Sequence, residues 1–559
     1  MQALDTHEVF NQFDELTDIN LLQSDAALQE VLQRQQAQSF VPALSRFAQQ
    51  LGEKQNWEHA ELANRHTPEL QRFDARGRVR DAVEFHPSWH RLMELYREQG
   101  LISLPFESQG RGRWSAWAAG FYLHGQVEQG TLCPATMTTA AIPVLQKEPR
   151  LWSQLQAQLF SHEYDARDLP LARKKSIWIG MGMTEKQGGS DVRANTTVAR
   201  PVHEGGRGGE YLLRGHKWFF SAPMCDAHLV VARMATASGD LGGHACFFVP
   251  RWRPDGSKNP VRVQRLKDKV GNRSNSSAEV ELQDAWGILM GEEGRGIPTI
   301  IEMASYTRLN CVLGSAAIVR SATVQSIAYA RQRSAFGKHL ADQPLMASVL
   351  ADLALESEAS MQLAMHLAQA YESEADGDLV ARAWKRIMTP AAKFWVCKRS
   401  VEITGEAMEV FGGNGYVQES IVSRLFREAP VNSIWEGSGN VMCLDVLRAM
   451  GREPEAARLL LQDLGDMAAD HPLLTATAQS LARRLSAAAP DALEPQARRL
   501  VQDLCLLAQA CLLHRHASAP MADGFIQTRL GAQGGAMVVG AFDPAGVDIA
   551  AILERALPA

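Results

Sequence analysis

The chain of 559 residues contains no CxxC pair and no His/Cys cluster at zinc-ligand spacing, which excludes the usual structural zinc sites and dithiol redox centres. Its eight cysteines are scattered at 133, 225, 246, 311, 397, 443, 505 and 511 and read as reduced packing residues. No uninterrupted apolar run approaches the roughly 18 to 20 residues of a membrane span. The start, Met1-Gln2-Ala3-Leu4-Asp5, lacks the basic-then-apolar pattern of a secretory signal, so the expectation is a cytoplasmic protein without membrane association. Positive charge is also short: 57 Lys and Arg face 63 Asp and Glu, a net charge of -6. Global charge therefore gives no reason for nucleic-acid affinity, and any such binding has to come from a local patch.

What is present is an ordinary globular composition, 46% hydrophobic and 21% charged, over a length that calls for about three to four domains. Residues 1–175 read as helical: Leu92, Leu95 and Tyr96, then Trp114, Trp117, Phe121 and Leu123, recur three and four apart, with Pro87, Pro105, Pro134 and Pro143 as stops. Residues 176–290 change to short β-rich runs, among them Ser176 to Ile179, Tyr211 to Leu213, Trp218 to Phe220, His228 to Ala232 and Ala245 to Val249. The Gly205–Gly209 cluster reads as a hairpin tip. Helical periodicity returns over 291–450, and 451–559 reads as a separate Ala/Leu/Arg-rich helical domain broken by prolines. The expected fold is multi-domain α with a central β domain: helical bundle, β-barrel-like domain, helical bundle and an extra C-terminal helical domain.

Five short stretches carry candidate chemistry. In Asn432-Ser433-Ile434-Trp435-Glu436-Gly437-Ser438-Gly439-Asn440 a lone carboxylate stands between an aromatic residue and a glycine-rich turn, with apolar neighbours to keep water away. Such surroundings suit a general base, although a glutamate before a glycine is also an ordinary turn residue. Gly180 to Asp191 is a glycine-rich loop whose backbone N–H groups can approach a flat ring or a phosphate, with Thr184 and Ser190 offering hydroxyls. It has neither the GKS ending nor the GxGxxG spacing of the nucleotide-binding loops. Lys217-Trp218-Phe219-Phe220-Ser221 is either a strand with core aromatics or a wall for a planar cofactor. Arg333-Ser334-Ala335-Phe336-Gly337-Lys338 follows the longest helix, and Phe411-Gly412-Gly413-Asn414-Gly415-Tyr416 follows another; each reads equally as a helix end.

In this order and layout the five stretches resemble the acyl-CoA dehydrogenase family, over roughly residues 80 to 450. The resemblance implies a tightly bound FAD between the β domain and the second helical domain. Met181, Gly182, Met183, Thr184, Gly188, Gly189 and Ser190, with Phe219, Phe220 and Ser221, would hold its ring. Arg333, Phe336, Gly412 and Gly413 would meet its pyrophosphate across a subunit interface, in a homotetramer. Glu436, set among Ile434, Trp435, Gly437, Ser438, Gly439 and Asn440, would take the α-proton of an acyl-CoA. Some members carry the base on the long helix just before an arginine; here Thr307 precedes Arg308, which leaves Glu436. This chain departs from the family pattern at Lys186, Phe219 and Glu409, where those enzymes have proline, tryptophan and glutamine.

Within the family, the blocks Met181 to Asp191 and Asn432 to Arg448 most resemble the branch that serves the bacterial adaptive response to DNA alkylation. That branch implies an added C-terminal domain implicated in binding double-stranded DNA with low sequence specificity, protection of DNA or destruction of an alkylating agent, and weak, isovaleryl-CoA-like dehydrogenase activity. The alternative is a metabolic enzyme for a short or branched acyl-CoA with no DNA role. From 456 to 559 there are eight arginines, no lysine and ten acidic residues. The candidate phosphate contacts are Arg483, Arg484, Arg498, Arg499 and Arg515, which read equally as solvated helix faces.

Overall fold

The computed structural model describes residues 6–235, 241–486, 490–531 and 538–558. The chain forms two compact units: one of residues 55–311 and 434–441, the other of residues 1–54, 312–433 and 442–559.

The first unit begins with helices α3 (Lys54–Arg65; α1 and α2 are Ala26–Arg34 and Val41–Gly52 of the other unit), α4 (Pro87–Glu98), α5 (Leu104–Glu107), α6 (Arg113–Val127), α7 (Leu132–Leu145) and α8 (Pro149–Phe160). A hairpin of β1 (Glu69–Phe73) and β2 (Val79–Glu84) interrupts the stretch expected to be helical. The prolines expected as stops mostly start helices. Pro87, Pro105 and Pro134 all stand in first turns, where their missing N–H has no intrahelical partner to lose, and Pro143 lies inside α7 two residues before its end. Both α6 and α7 are buried on almost every side, which is why their sequences are apolar all round.

Seven strands come next: β3 (Ile179–Gly182), β4 (Val198–Pro201), β5 (Glu210–Ser221), β6 (Ala227–Ala235), β7 (Leu241–Pro250), β8 (Val261–Leu266) and β9 (Ser277–Met290). The neighbours run β6-β4-β5-β9-β7, and β7 pairs back onto β6, so five strands close a ring to which β3 and β8 are added. Its core is filled by Tyr211, Leu213, Phe220, Val230, Phe247, Val280 and Leu289. The separate runs at 211–213 and 218–220 are one strand, β5, whose register slips between Lys217 and Phe220. That bulge leaves Trp218 and Phe219 outside the regular ladder and turns their side chains out of the alternation.

The helix α9 (Gly296–Gln332) begins in the first unit and ends in the second. By length and composition it matches a membrane span, yet 94% of its most apolar window is buried inside the protein. The second unit continues with the small hairpin β10 (Ser334–Ala335) and β11 (Lys338–His339), then α10 (Pro344–Ala375), α11 (Leu379–Ala383), α12 (Thr389–Val410) and α13 (Ile421–Asn432). The remaining helices are α14 (Gly439–Arg452), α15 (Pro454–Ala468), α16 (Pro472–Ser486), α17 (Pro490–Leu493), α18 (Ala497–His516), α19 (Ala519–Leu530) and α20 (Ile549–Ala556).

These C-terminal helices do not stand apart as the sequence suggested. Helix α18 packs on α10 and α12, and α20 packs on α10. Buried charges tie them in: Arg529 pairs with Asp352 and, at 2.9 Å, with Glu356, which Arg399 also meets at 3.2 Å. Arg555 joins Glu358 at 2.8 Å and Glu30 at 2.6 Å. Arg529 and Arg555 thus serve as internal partners, a use that one-dimensional charge counting does not show.

Candidate active site

The first unit holds the glycine loop, the β5 bulge and the turn of Glu436. The loop is fixed from inside by a pair that the sequence motifs contain but do not reveal. The Lys217 ammonium donates to Glu185 Oε1 at 2.8 Å and to the Val231 carbonyl at 2.8 Å, and the side chains of Glu185 and Lys217 are both 0% exposed. Glu185 also accepts from the backbone N–H groups of Thr196 and Thr197 at 2.7 and 3.1 Å. Burial works to raise the Glu185 carboxyl, but the charge of Lys217 and these donors outweigh it and hold the group well below the usual carboxylate range. A second tie joins loop to strand, the Trp218 N–H donating to the Thr184 carbonyl at 2.9 Å.

Loop and bulge fit a flat cofactor. Phe219 is 54% exposed, an unusual position for a phenylalanine on an enclosed strand ring, while the next residue, Phe220, is buried against Gly182 and stacks on His228 at 4.0 Å. Met181, Met183, Thr184 and Gly189 are half-buried, Ser190 is exposed, and a Cβ on Gly188 would meet nothing within 4 Å. Three cations surround Trp218: Lys267 at 3.7 Å, Lys186 at 5.5 Å and Arg265 at 5.9 Å from the ring centre. Lys186, where the family has proline, thus becomes part of a cation-aromatic cluster.

Ser221 at the end of β5 is half-buried and engages the thiol of Cys133, as does Asn275. Burial pushes that thiol up to about 12, with Lys269 opposing and Glu436 adding to the rise. Such a thiol stays protonated at neutral pH and is a weak nucleophile.

Glu436 sits with φ +58°, a left-handed backbone that a glutamate rarely adopts, and Gly437 is next at φ +101°. Strain of this kind, about 1–3 kcal/mol, persists where surrounding structure over-determines it. That structure is the first half of α9. The hydroxyl of buried Thr307 donates to Glu436 Oε2 at 2.6 Å, and Arg308 Nε donates to the Glu436 carbonyl at 3.2 Å. The residue that stands at the family's alternative base position therefore serves the carboxylate instead of replacing it. The apolar shelter expected from the flanking residues is only partial: Ile434 is 65% exposed, and Trp435, Glu436, Gly437 and Ser438 are half-buried. Gly439 is buried and Asn440 exposed.

The second unit presents the other predicted contacts. Arg333 closes α9, and the β10–β11 hairpin after it has Phe336 at φ +52° and Gly337 at φ +78°, the two-residue turn with both central residues left-handed. Phe336 is 100% exposed. The turn Gly412–Tyr416 is a 3₁₀ segment with Gly412 at φ +61°, and a Cβ on Gly412 or Gly413 would meet nothing within 4 Å. An open, glycine-bared backbone can approach a phosphate. Glu409 is exposed one turn earlier.

The five arginines predicted to meet DNA differ in their surroundings. Arg484 on α16 pairs with Asp503 at 2.7 Å, and Arg515 donates to the carbonyls of Asp466 and Met467 at 2.7 and 3.2 Å. Arg498 lies over the ring of Phe394 at 5.5 Å, and Arg483 and Arg499 are exposed. At about 1.5 Å per residue, Arg499 and Arg515 are roughly 24 Å apart along α18.

One unit thus holds a carboxylate fixed by a helix at a strained turn, a group that can take a proton, and an exposed aromatic on a glycine-loop wall, a surface that can line a flat ring. The chain belongs to the acyl-CoA dehydrogenase family. Residues 180–285 match its middle domain and 294–451 its C-terminal domain, while 11–166 match the adaptive response protein AidB N-terminal domain. The chain is 46% identical over 532 residues to the putative acyl-CoA dehydrogenase AidB of Escherichia coli (strain K12), covering 95% of each, which puts it in the AidB branch of the family. It is 30% identical over 397 residues, 69% of this chain and 63% of the relative, to acyl-CoA dehydrogenase family member 11 of Caenorhabditis elegans. The crystal structure of ACDH-11 from Caenorhabditis elegans in complex with C11-CoA is similar at TM-score 0.84 and 25% identity, covering 100% of this chain and 95% of that one. An acyl-CoA dehydrogenase of Bacillus anthracis complexed with FAD shares the fold at TM-score 0.63 and 20% identity, over 79% of this chain and 80% of that one. The protein is accordingly an acyl-CoA dehydrogenase-like oxidoreductase.

Proposed function

We propose that Glu436 removes the α-proton of a short or branched acyl thioester in a slow dehydrogenation. The single observation that carries this is the fixed geometry of its carboxylate, held at 2.6 Å by Thr307 on a strained turn whose carbonyl Arg308 secures. A base held in place before the substrate arrives loses little freedom at the moment of reaction. FAD, when bound, accepts the hydride from the β-carbon. Thr184 to Ser190 and Phe219 to Ser221 hold its ring, and Arg333, Phe336, Gly412 and Gly413 hold the pyrophosphate of the FAD of a neighbouring copy in a homotetramer. The full exposure of Phe336 supports that neighbour, because an aromatic residue held in the left-handed region without cover costs free energy in a lone subunit.

In the same reading the protein serves the response to DNA alkylation, binding duplex DNA through Arg483, Arg499 and their counterparts on neighbouring copies, and protecting it or destroying the alkylating agent. Its 46% identity to AidB over nearly the whole chain supports this. A metabolic enzyme without a DNA role is the second reading, favoured by the internal commitment of Arg484 and Arg515. The deciding experiment pairs a mobility shift of random duplex DNA at about 50 and 200 mM salt with anaerobic bleaching of the flavin by acyl-CoA substrates. A salt-sensitive shift with slow bleaching supports the first reading. No shift, with turnover in the usual range of about 1 to 10³ s⁻¹, establishes the second.

A further inference from the structure

The segment from Thr6 to Leu16 forms neither helix nor strand, yet its polar groups are spent on one place. The Asn11 side chain pairs with both backbone groups of Ser334, its amide donating to the carbonyl and its oxygen accepting from the N–H, each at 2.8 Å. The carbonyl of Asn11 accepts from the Arg333 guanidinium. Its neighbour Gln12 accepts from the Asn414 amide at 2.8 Å, in the glycine turn. Leu16 exchanges two hydrogen bonds with Gln325 on α9, at 2.8 and 2.9 Å. Asn11 itself is left-handed at φ +56°, so the chain accepts local strain to aim this side chain at the hairpin.

We infer that this N-terminal segment is a working part of the FAD phosphate site, with Asn11 the residue that positions Arg333 and the β10–β11 hairpin. The inference rests on the proposed role of Arg333 toward the FAD pyrophosphate. Arg333 closes a helix and has a long side chain, which left alone samples many rotamers. Its guanidinium has five N–H donors; one Nη is anchored on Asn11, which orients the others for a phosphate. Asn11 also fixes the first residue of the hairpin that presents Phe336, and Gln12 steadies the turn that bares Gly412 and Gly413. One strap thereby connects the end of α9 and its hairpin with the distant glycine turn into a preformed anion cradle. A preformed cradle binds more tightly than one ordered on binding.

The test is the dissociation constant of FAD for the full-length, deflavinated protein, monitored by quenching of flavin fluorescence, with the melting temperature of the apoprotein as folding control. Asn11→Ala removes the two side-chain hydrogen bonds to Ser334 that hold the Asn11 carbonyl against Arg333, and is expected to weaken FAD about tenfold, the order of one to two neutral hydrogen bonds. In an Arg333→Ala background the same change is expected to cost nothing further. If Arg333→Ala weakens FAD and Asn11→Ala does not, the inference is wrong while the site reading stands. If Arg333→Ala leaves FAD binding unchanged, the site reading itself fails. Should Asn11→Ala lower the apoprotein melting temperature, the double variant decides: a tenfold loss that persists without Arg333 means Asn11 acts by folding alone and overturns the inference.

Discussion

The two units treat charge in opposite ways. In the sheet-bearing unit, a buried ion pair and a hydroxyl stand behind the residues proposed for chemistry: Glu185 and Lys217 hold the glycine loop on β5, and Thr307 and Arg308 hold Glu436. In the helical unit, buried charge joins the C-terminal helices to α10, while the residues assigned to phosphate, Arg333 and the Gly412–Gly413 turn, lie near the surface. Conversely, some arginines that look like a binding stripe already have partners within the chain, Arg484 with Asp503 and Arg515 with two carbonyls. A charged residue acquires its role from its partner, and the partner is usually far away in sequence.

Breaking that contrast should show most in stability. Lys217→Met leaves Glu185 charged and buried, and Arg529→Met does the same to Asp352, so each should cost about 3–5 kcal/mol in urea unfolding. The two variants should fail at different places. Lys217→Met should shed FAD at concentrations of denaturant where the rest is folded, whereas Arg529→Met should loosen the C-terminal helices. Equal flavin release in both variants would contradict the distinction. Removing everything after Gly451 should likewise destabilise the second unit, because Asp352, Glu356 and Glu358 on α10 would be stripped of Arg529 and Arg555.

Acid should weaken both units together. Burial lowers His124 to about 4 and His228 to about 3 in the first unit, and His366 to about 4 in the second. A base whose folded value is depressed adds nothing above its unfolded value near 6.5; below it the unfolded chain takes the proton first, so stability falls as pH drops from about 6.5 toward 4. Asp226, raised to about 6 by burial against the pull of Lys174, works the other way between about 6 and 3.8. Three groups outweigh one, so the melting temperature should be lower at pH 5 than at pH 7. An unchanged or higher value at pH 5 would contradict these environments.

Smaller effects sharpen the site. Thr307→Val should slow flavin reduction about tenfold, as the loss of one hydrogen bond to a charged group does, and Thr307→Ser should restore it. Failure of serine to rescue would show that the threonine only packs. For DNA, Arg483→Ala with Arg499→Ala should reduce the salt slope of binding by about one for each phosphate that is no longer neutralised. Arg484→Ala should act less, being paired with Asp503, and the reverse ranking would mean that a different face meets DNA.

The order of strands is legible in the sequence because alternation and turn residues mark them, but the bulge that fuses 211–213 and 218–220 into β5 is not, since a bulge is a property of the pairing. The proline positions mislead for a local reason, as a proline ends one helix and begins the next equally well. Glu436 is legible from its motif. Its partner is not: in the sequence, Thr307 stands out only as a residue that cannot be a base. Glu185 and Lys217 each lie inside a motif, and nothing in either motif says that they meet. The N-terminal segment carries no sequence signal at all, because Asn11 and Gln12 act through single hydrogen bonds to residues more than 300 positions away.

The central claim is that Glu436 is the base, and rapid anaerobic mixing of the FAD-loaded protein with a branched or short acyl-CoA tests it most directly. Glu436→Gln should retain FAD and its absorption bands while flavin bleaching slows by about 10²- to 10⁴-fold. Bleaching at the wild-type rate in that variant would remove Glu436 from the reaction and, with it, the functional meaning given to Thr307 and Arg308.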